Sequence, residues 1–166
     1  MTDGPVVEQP SLEALVETGL VELDSLHPGG LETTRQLAKV CGIQQGDAVL
    51  DVACGNVETA CFLAEAFGAR AYGVDHADEM IRRAHTKARA RGANVEFKKA
   101  EAASLPFEDS RFDAAICEST LCLLDKAKVI GEMVRVVRLK FLRRWGMGRI
   151  WRIYQPERVF SSDYLG

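Results

Sequence analysis

The sequence predicts an α/β fold: a doubly wound parallel sheet with helices on both faces, incomplete at its C-terminal side. Three observations carry this expectation. From residue 48 onward, short apolar runs alternate with longer amphipathic ones in the order strand, helix, strand, helix, which calls for crossover units and a parallel sheet. The first such run, Val49-Leu50-Asp51-Val52, breaks into a turn of small residues that opens a helix. The alternation then stops after Arg138.

Taken in order, residues 1–10 are acidic and carry Pro5 and Pro10, a composition that favours a mobile end. A helix is expected from Ser11 as N-cap, with Leu12, Leu15, Val16 and Leu20 on one face. His27-Pro28-Gly29-Gly30 interrupts the chain, and a second helix carries Leu31, Leu37 and Val40 to a stop at Gly42. Strands are expected at 48–53, 70–75, 95–98 and 112–117. Helices are expected at 58–67, 77–91 and 126–137, with a loop through Leu105-Pro106-Phe107.

A chain of 166 residues supports one domain with a substantial core. Its segments read as an acidic N-terminal extension and helix (1–26), a cofactor-binding core (27–137) and a basic, divergent tail (138–166). With 47% hydrophobic and 27% charged residues, and no apolar run near the roughly 20 residues that span a bilayer, a membrane protein is not expected. Asp3, Glu8, Glu13, Glu17, Glu22 and Asp24 precede any Lys or Arg, contrary to a secretory or mitochondrial leader, so a cytoplasmic location is expected. A sequence pI of about 5.7 argues against nucleic acid as a partner of the whole chain. Cys41, Cys54, Cys61, Cys117 and Cys122 form no C-x-x-C pair and have no His at ligand spacing, so neither a metal site nor a disulfide framework is expected. Most of these thiols are expected in the core.

The chemistry concentrates at Val49-Leu50-Asp51-Val52-Ala53-Cys54-Gly55-Asn56-Val57. A strand end opening onto a helix N-terminus is where such a sheet binds ligand, since backbone N–H groups point outward and small residues allow close approach. A dinucleotide fingerprint would need G-x-G-x-x-G after the strand. Here a carboxylate stands within the strand end instead, and it suits an ammonium better than a diphosphate.

These residues resemble the class I methyltransferases that use S-adenosylmethionine, small-molecule enzymes of the arsenite and ubiquinone type in particular. The fold implied is the Rossmann-like methyltransferase sheet. In the family's acid-x-Gly-x-Gly-x-Gly loop, Asp51 matches the acid, Ala53 stands for the first Gly with Cys54 beside it, and Gly55 matches the second. Val57 replaces the third, where a β-branched side chain would be strained at positive φ or would stand over the ligand. In Gly73-Val74-Asp75-His76 the resemblance implies that Asp75 accepts from the ribose hydroxyls and puts His76 beside the adenine, although a solvated loop histidine is an equal reading. Met80, four residues before Ala84 on a helical face, matches a position near the cofactor or belongs to the core. Glu101 and Ala102, ahead of Leu105-Pro106-Phe107, match the segment that meets the adenine amino group. Phe112-Asp113-Ala114-Ala115-Ile116-Cys117-Glu118-Ser119 resembles the fourth strand, whose end at Cys117 faces the transferred methyl group. Asp113, at its start, reads as structural. Glu118 and Ser119 are the candidates for holding the acceptor or removing its proton. Cys54 and Cys117 at neighbouring strand ends admit soft-metalloid capture, against which core packing is the stronger reading.

The resemblance covers 27–137. Family members continue with Pro-Gly-Gly and a fifth strand; this chain continues with Leu139-Lys140-Phe141-Leu142-Arg143-Arg144-Trp145. An apolar edge at 112–117 is then left to be covered by Arg149-Ile150-Trp151-Arg152-Ile153-Tyr154 or by a second copy of the chain. The tail itself admits a nucleic-acid reading through Trp145, Trp151 and Tyr154 among arginines, or a context lost by truncation or a changed reading frame. The function expected is methyl transfer from S-adenosylmethionine to a small-molecule acceptor. The alternative is an inactive protein of the same fold serving as a binding module or partner subunit.

Overall fold

A computed structural model of the chain describes residues 29–138. The expected helix from Ser11, the basic tail beyond Arg138 and its strand-forming run at 149–154 lie outside the described residues.

Helix α1 (Gly30–Cys41) ends at Gly42 as expected, but its buried face is Thr34, Leu37 and Ala38, and Val40, expected on the apolar stripe, is 60% exposed because it turns away from that face in the last turn. The chain then alternates through β1 (Ala48–Val52), α2 (Glu58–Phe67), β2 (Arg70–Asp75), α3 (Asp78–Arg91), β3 (Val95–Lys99), β4 (Ala114–Ile116), a 3-10 turn at Leu121–Leu123 and α4 (Lys126–Val136). All four strands are parallel, in the order β3-β2-β1-β4. The central strand β1 is buried along its whole length, which is why it reads as a continuous apolar run and not an alternating one.

The two faces separate by side-chain alternation along β1. Ala48, Leu50 and Val52 join Phe112, Leu121, Val129, Met133 and Val136 in one cluster, under α4. Val49 joins Leu37, Ala38, Leu63, Ala114 and Ile116 in another, under α1 and α2. Asp51 shares the parity of Val49 and so faces the α1 and α2 side. A third cluster, of Cys54, Val57, Cys61, Ala84 and Ala88, fills the space between α2 and α3.

The two outer strands differ. On β3, Glu96, Lys98 and Lys99 are exposed, the charged pattern that discourages pairing with another chain. The fourth strand is shorter than the expected 112–117. Phe112 does not pair with β1; its N–H donates to the Val136 carbonyl at 2.9 Å and its carbonyl accepts from the Arg138 N–H at 2.7 Å, a parallel bridge on the outer side. At the same point Asp113 joins β4 to β1: its N–H donates to the Ala48 carbonyl at 2.7 Å, and its carboxylate accepts from the Ala48 N–H at 3.0 Å. That contact bears out the structural reading of Asp113. The 3-10 turn is absent from the sequence-based expectation because one turn is too short to display a helical period.

Candidate cofactor site

The carboxyl ends of β1, β2 and β4 converge on the loop between β1 and α2. Four non-glycine residues among those described have left-handed backbone, Ala53 (φ 58°), Val57 (φ 62°), Ser110 (φ 58°) and Ser119 (φ 60°). Three of them lie at this end of the sheet. Ala53, Gly55 and Val57 are the three glycine positions of the motif, and all have positive φ, so the loop keeps the glycine backbone with only one glycine. Such conformations cost on the order of 1 kcal/mol or more at a non-glycine residue and concentrate at functional sites.

The Val57 side chain points inward. It is 1% exposed and packs with Cys54, Cys61, Ala84 and Ala88. The expected strain is therefore present, while the expected obstruction is not. Among the described residues Gly55 leaves the other side of the loop open: a Cβ built there would meet only the Ala53 carbonyl, at 4.0 Å.

Asp51 stands beneath this loop, 3% exposed. Its Oδ2 has no hydrogen-bond partner among the described residues. Burial, then the neighbouring Glu118 charge, raises its carboxyl well above the usual carboxylate range, against a backbone hydrogen bond from Ala60 that lowers it. An unanswered buried carboxylate oxygen is costly. A cation arriving over the loop would answer it, so the residues present fit a ligand with an ammonium group.

Asp75 is buried and shares itself between two backbone donors: Oδ2 accepts from Gly55 N–H and Oδ1 from Ala77 N–H, each at 3.0 Å. Each oxygen keeps a further lone pair for a ligand hydroxyl. His76 Nδ1 lies 3.4 Å from Asp75 Oδ1, with its side chain 59% exposed. Met80, half-buried, sits in the first turn of α3. Glu101 is exposed in a turn bridged to Ser104, and Ala102 packs against the core. The Ala100 N–H, donating to the Asp75 carbonyl at 2.9 Å, holds that turn beside the β2 end.

The thiols divide between clusters. Cys54 Sγ packs against Gly73, where an added Cβ would approach it to 2.9 Å and Phe97 to 2.7 Å. Cys117 belongs to the cluster under α4. Burial pushes the Cys54 thiol up and the Cys117 thiol up to about 12, so both are core groups and neither is a nucleophile at neutral pH.

At the β4 end, Glu118 Oε2 accepts from Thr59 Oγ1–H at 2.7 Å and Thr34 Oγ1–H at 3.0 Å. Both threonines are buried. Neither carries a sequence signal, because they lie 59 and 84 residues from Glu118. Thr59 alone is near the motif, in the first turn of α2. Ser119 follows Glu118, half-buried and left-handed.

Comparison with known proteins agrees with this geometry. Residues 49–140 match a family model described as a methyltransferase domain. A demethylmenaquinone methyltransferase of Thermus thermophilus is 38% identical over 117 residues, 64% of this chain and 53% of that protein. The YcgJ protein of Bacillus subtilis superposes with a TM-score of 0.61 at 29% identity, over 65% of this chain and 47% of that one. A SAM-dependent methyltransferase from Aquifex aeolicus superposes with a TM-score of 0.58 at 27% identity, over 64% and 58%. The chain thus spans about half the length of the relatives it matches. With the family model matched over more than half of its residues and a parallel sheet that places the motif loop at the strand ends, the chain belongs to the class I S-adenosylmethionine-dependent methyltransferase family.

Proposed function

We propose that the chain binds S-adenosylmethionine over the loop from Asp51 to Val57 and directs its methyl group to a small-molecule acceptor. The observation that carries this reading is the loop itself: glycine-like backbone at three alternate positions and, among the described residues, an open outer side at Gly55 and an Asp51 Oδ2 beneath with no hydrogen-bond partner. When bound, the cofactor supplies an electrophilic methyl on a sulfonium, and the chain's share is to hold and orient both partners, where most of the acceleration arises.

The backbone of Ala53, Cys54 and Gly55 cradles the amino-acid arm, and Asp75 accepts the ribose hydroxyls. His76, Met80, Glu101 and Ala102 border the adenine. Ser119 lies on the side from which the acceptor approaches and offers its hydroxyl to the nucleophile, while Cys117 stays in the core cluster under α4. Val57 supports the reading because its side chain leaves the ligand side clear.

Isothermal titration with S-adenosylmethionine and S-adenosylhomocysteine tests the binding step. Saturable heat is expected, together with a rise in Tm. No heat and no thermal shift at millimolar ligand would sink the proposal. No helix among the described residues is long and apolar enough to cross a membrane, and the five cysteines form no disulfide with one another, which supports action in the reducing cytoplasm.

A further inference from the structure

The open edge of the sheet at β3 has a self-complementary pattern. No strand pairs with its outer side among the described residues. The Ala100 N–H donates inward to the Asp75 carbonyl at 2.9 Å. Backbone groups alternate between the two sides of a strand, so Glu96 and Lys98 bond to β2, while Phe97 and Lys99 present N–H and carbonyl to the open edge.

The side chains alternate as well. Phe97 faces α3, packed on Gly73, with its ring centroid 5.3 Å from that of His85. Glu96 and Lys98 point to the opposite face, where Lys98 Nζ stands 5.9 Å from the centroid of the Phe107 ring. Both are exposed, and neither has an ion-pair partner among the described residues.

Such charges repel an arbitrary strand, yet one arrangement satisfies them. A two-fold axis pairs a strand antiparallel with its own copy, residue i with j and j with i. Outward-facing residues must then meet outward-facing ones to exchange hydrogen bonds. With the axis at Phe97, the two Phe97 residues exchange N–H and carbonyl, and Lys99 donates to the Val95 carbonyl of the other copy. Glu96 falls opposite Lys98 on both sides of the axis. These are non-hydrogen-bonded positions, where opposed side chains come closest, with Cβ atoms about 4.5–5.5 Å apart. Moving the axis by one residue keeps the hydrogen bonds but sets Glu96 against Glu96 or Lys98 against Lys98, which like-charge repulsion penalises.

We propose that two copies of this chain associate through β3, antiparallel about Phe97, joining their sheets into one, with the Glu96–Lys98 pairs fixing the register. The charges that exclude other strands thus select the chain as its own partner. In this register Asn94 of one copy falls level with Ala100 of the other, so the turn between α3 and β3 borders the turn at Glu101 across the axis. A strand of five residues makes a small interface, and reversible association is expected.

Sedimentation equilibrium on the full chain, loaded between about 1 and 500 μM, measures it. A monomer–dimer equilibrium is expected. Glu96→Lys sets like charges opposite each other and should weaken dimerisation by about tenfold, as should Lys98→Glu. Glu96→Lys combined with Lys98→Glu restores both cross-strand pairs at the net charge of the parent and should return the parental constant. That recovery also excludes misfolding as the cause of the single effects. Amide exchange identifies the edge: Phe97 and Lys99 should gain protection as concentration rises, while Glu96 and Lys98, already bonded to β2, should not. A monomer at every loading, a dimer indifferent to the single substitutions, no recovery in the double one, or no concentration-dependent protection at Phe97 and Lys99 overturns the proposal.

Discussion

Val57 shows how one residue can serve the fold and strain it at once. Its φ of 62° is a conformation that a β-branched residue resists, yet its side chain is wholly buried between α2 and α3. Val57→Gly would relieve about 1–2 kcal/mol of backbone strain. It would forfeit roughly 2 kcal/mol of apolar burial, leave a small cavity and add unfolded-state entropy. The losses outweigh the gain, so a net destabilisation of about 1–2 kcal/mol is expected by denaturant titration. A Val57→Gly protein more stable than the parent would mean that the strain exceeds the packing. The motif spacing alone signals that this position wants glycine; the direction of its side chain depends on α3, which supplies Ala84 and Ala88.

At the scale of elements, Arg135 fastens α4 to the segment that leads into β4. Its guanidinium donates to the Leu105 carbonyl at 2.9 Å and the Phe107 carbonyl at 2.7 Å, and it pairs with Asp109 and Glu132. Glu132 in turn accepts from the Leu105 N–H at 2.7 Å. The surface ion pairs contribute little by themselves, but the two carbonyls are held by charge-assisted bonds. Arg135→Ala should cost about 2 kcal/mol and speed amide exchange at Leu105 and Phe107 more than in β1. Uniform loss of protection would show that the clip does not act locally. The sequence displays α4 through its apolar period, whereas nothing in it pairs Arg135 with carbonyls 28 and 30 residues away.

For the whole molecule, Asp51 sets a pH dependence of unusual sign. Its carboxyl is raised in the folded chain, so above the ordinary value of 3.8 the folded state binds more protons than the unfolded one. The Asp51 contribution is therefore greatest at acid pH and declines as pH rises toward the folded value. Glu58, lowered by Lys87 and Arg91 despite partial burial, works the other way and loses its contribution as pH falls. The Tm of the free protein should accordingly peak at mildly acidic pH, and saturating S-adenosylhomocysteine should move that peak toward neutrality. Asp51→Asn should raise the Tm of the free protein at neutral pH, flatten the decline and abolish the ligand-induced rise, a separation of stability from function readable by calorimetry. A free-protein Tm that climbs through neutral pH would contradict this account.

The order of elements, the parallel sheet, the loop at Asp51 and the acid at Asp75 were all legible in the residues, because they rest on local periodicity and fixed spacing. The strand ends followed the expected boundaries closely wherever both faces are buried. They departed at β4, where Phe112 turns outward to Val136 and Arg138, since pairing partners distant in sequence decide which strand a residue joins. Only the tertiary structure could turn Val57 inward, leave Asp51 Oδ2 without a partner among the described residues and bring Thr34 and Thr59 onto Glu118. Each of these depends on which side chains from separate helices meet over one end of the sheet, and that meeting is produced by packing across the strands, which no local pattern encodes.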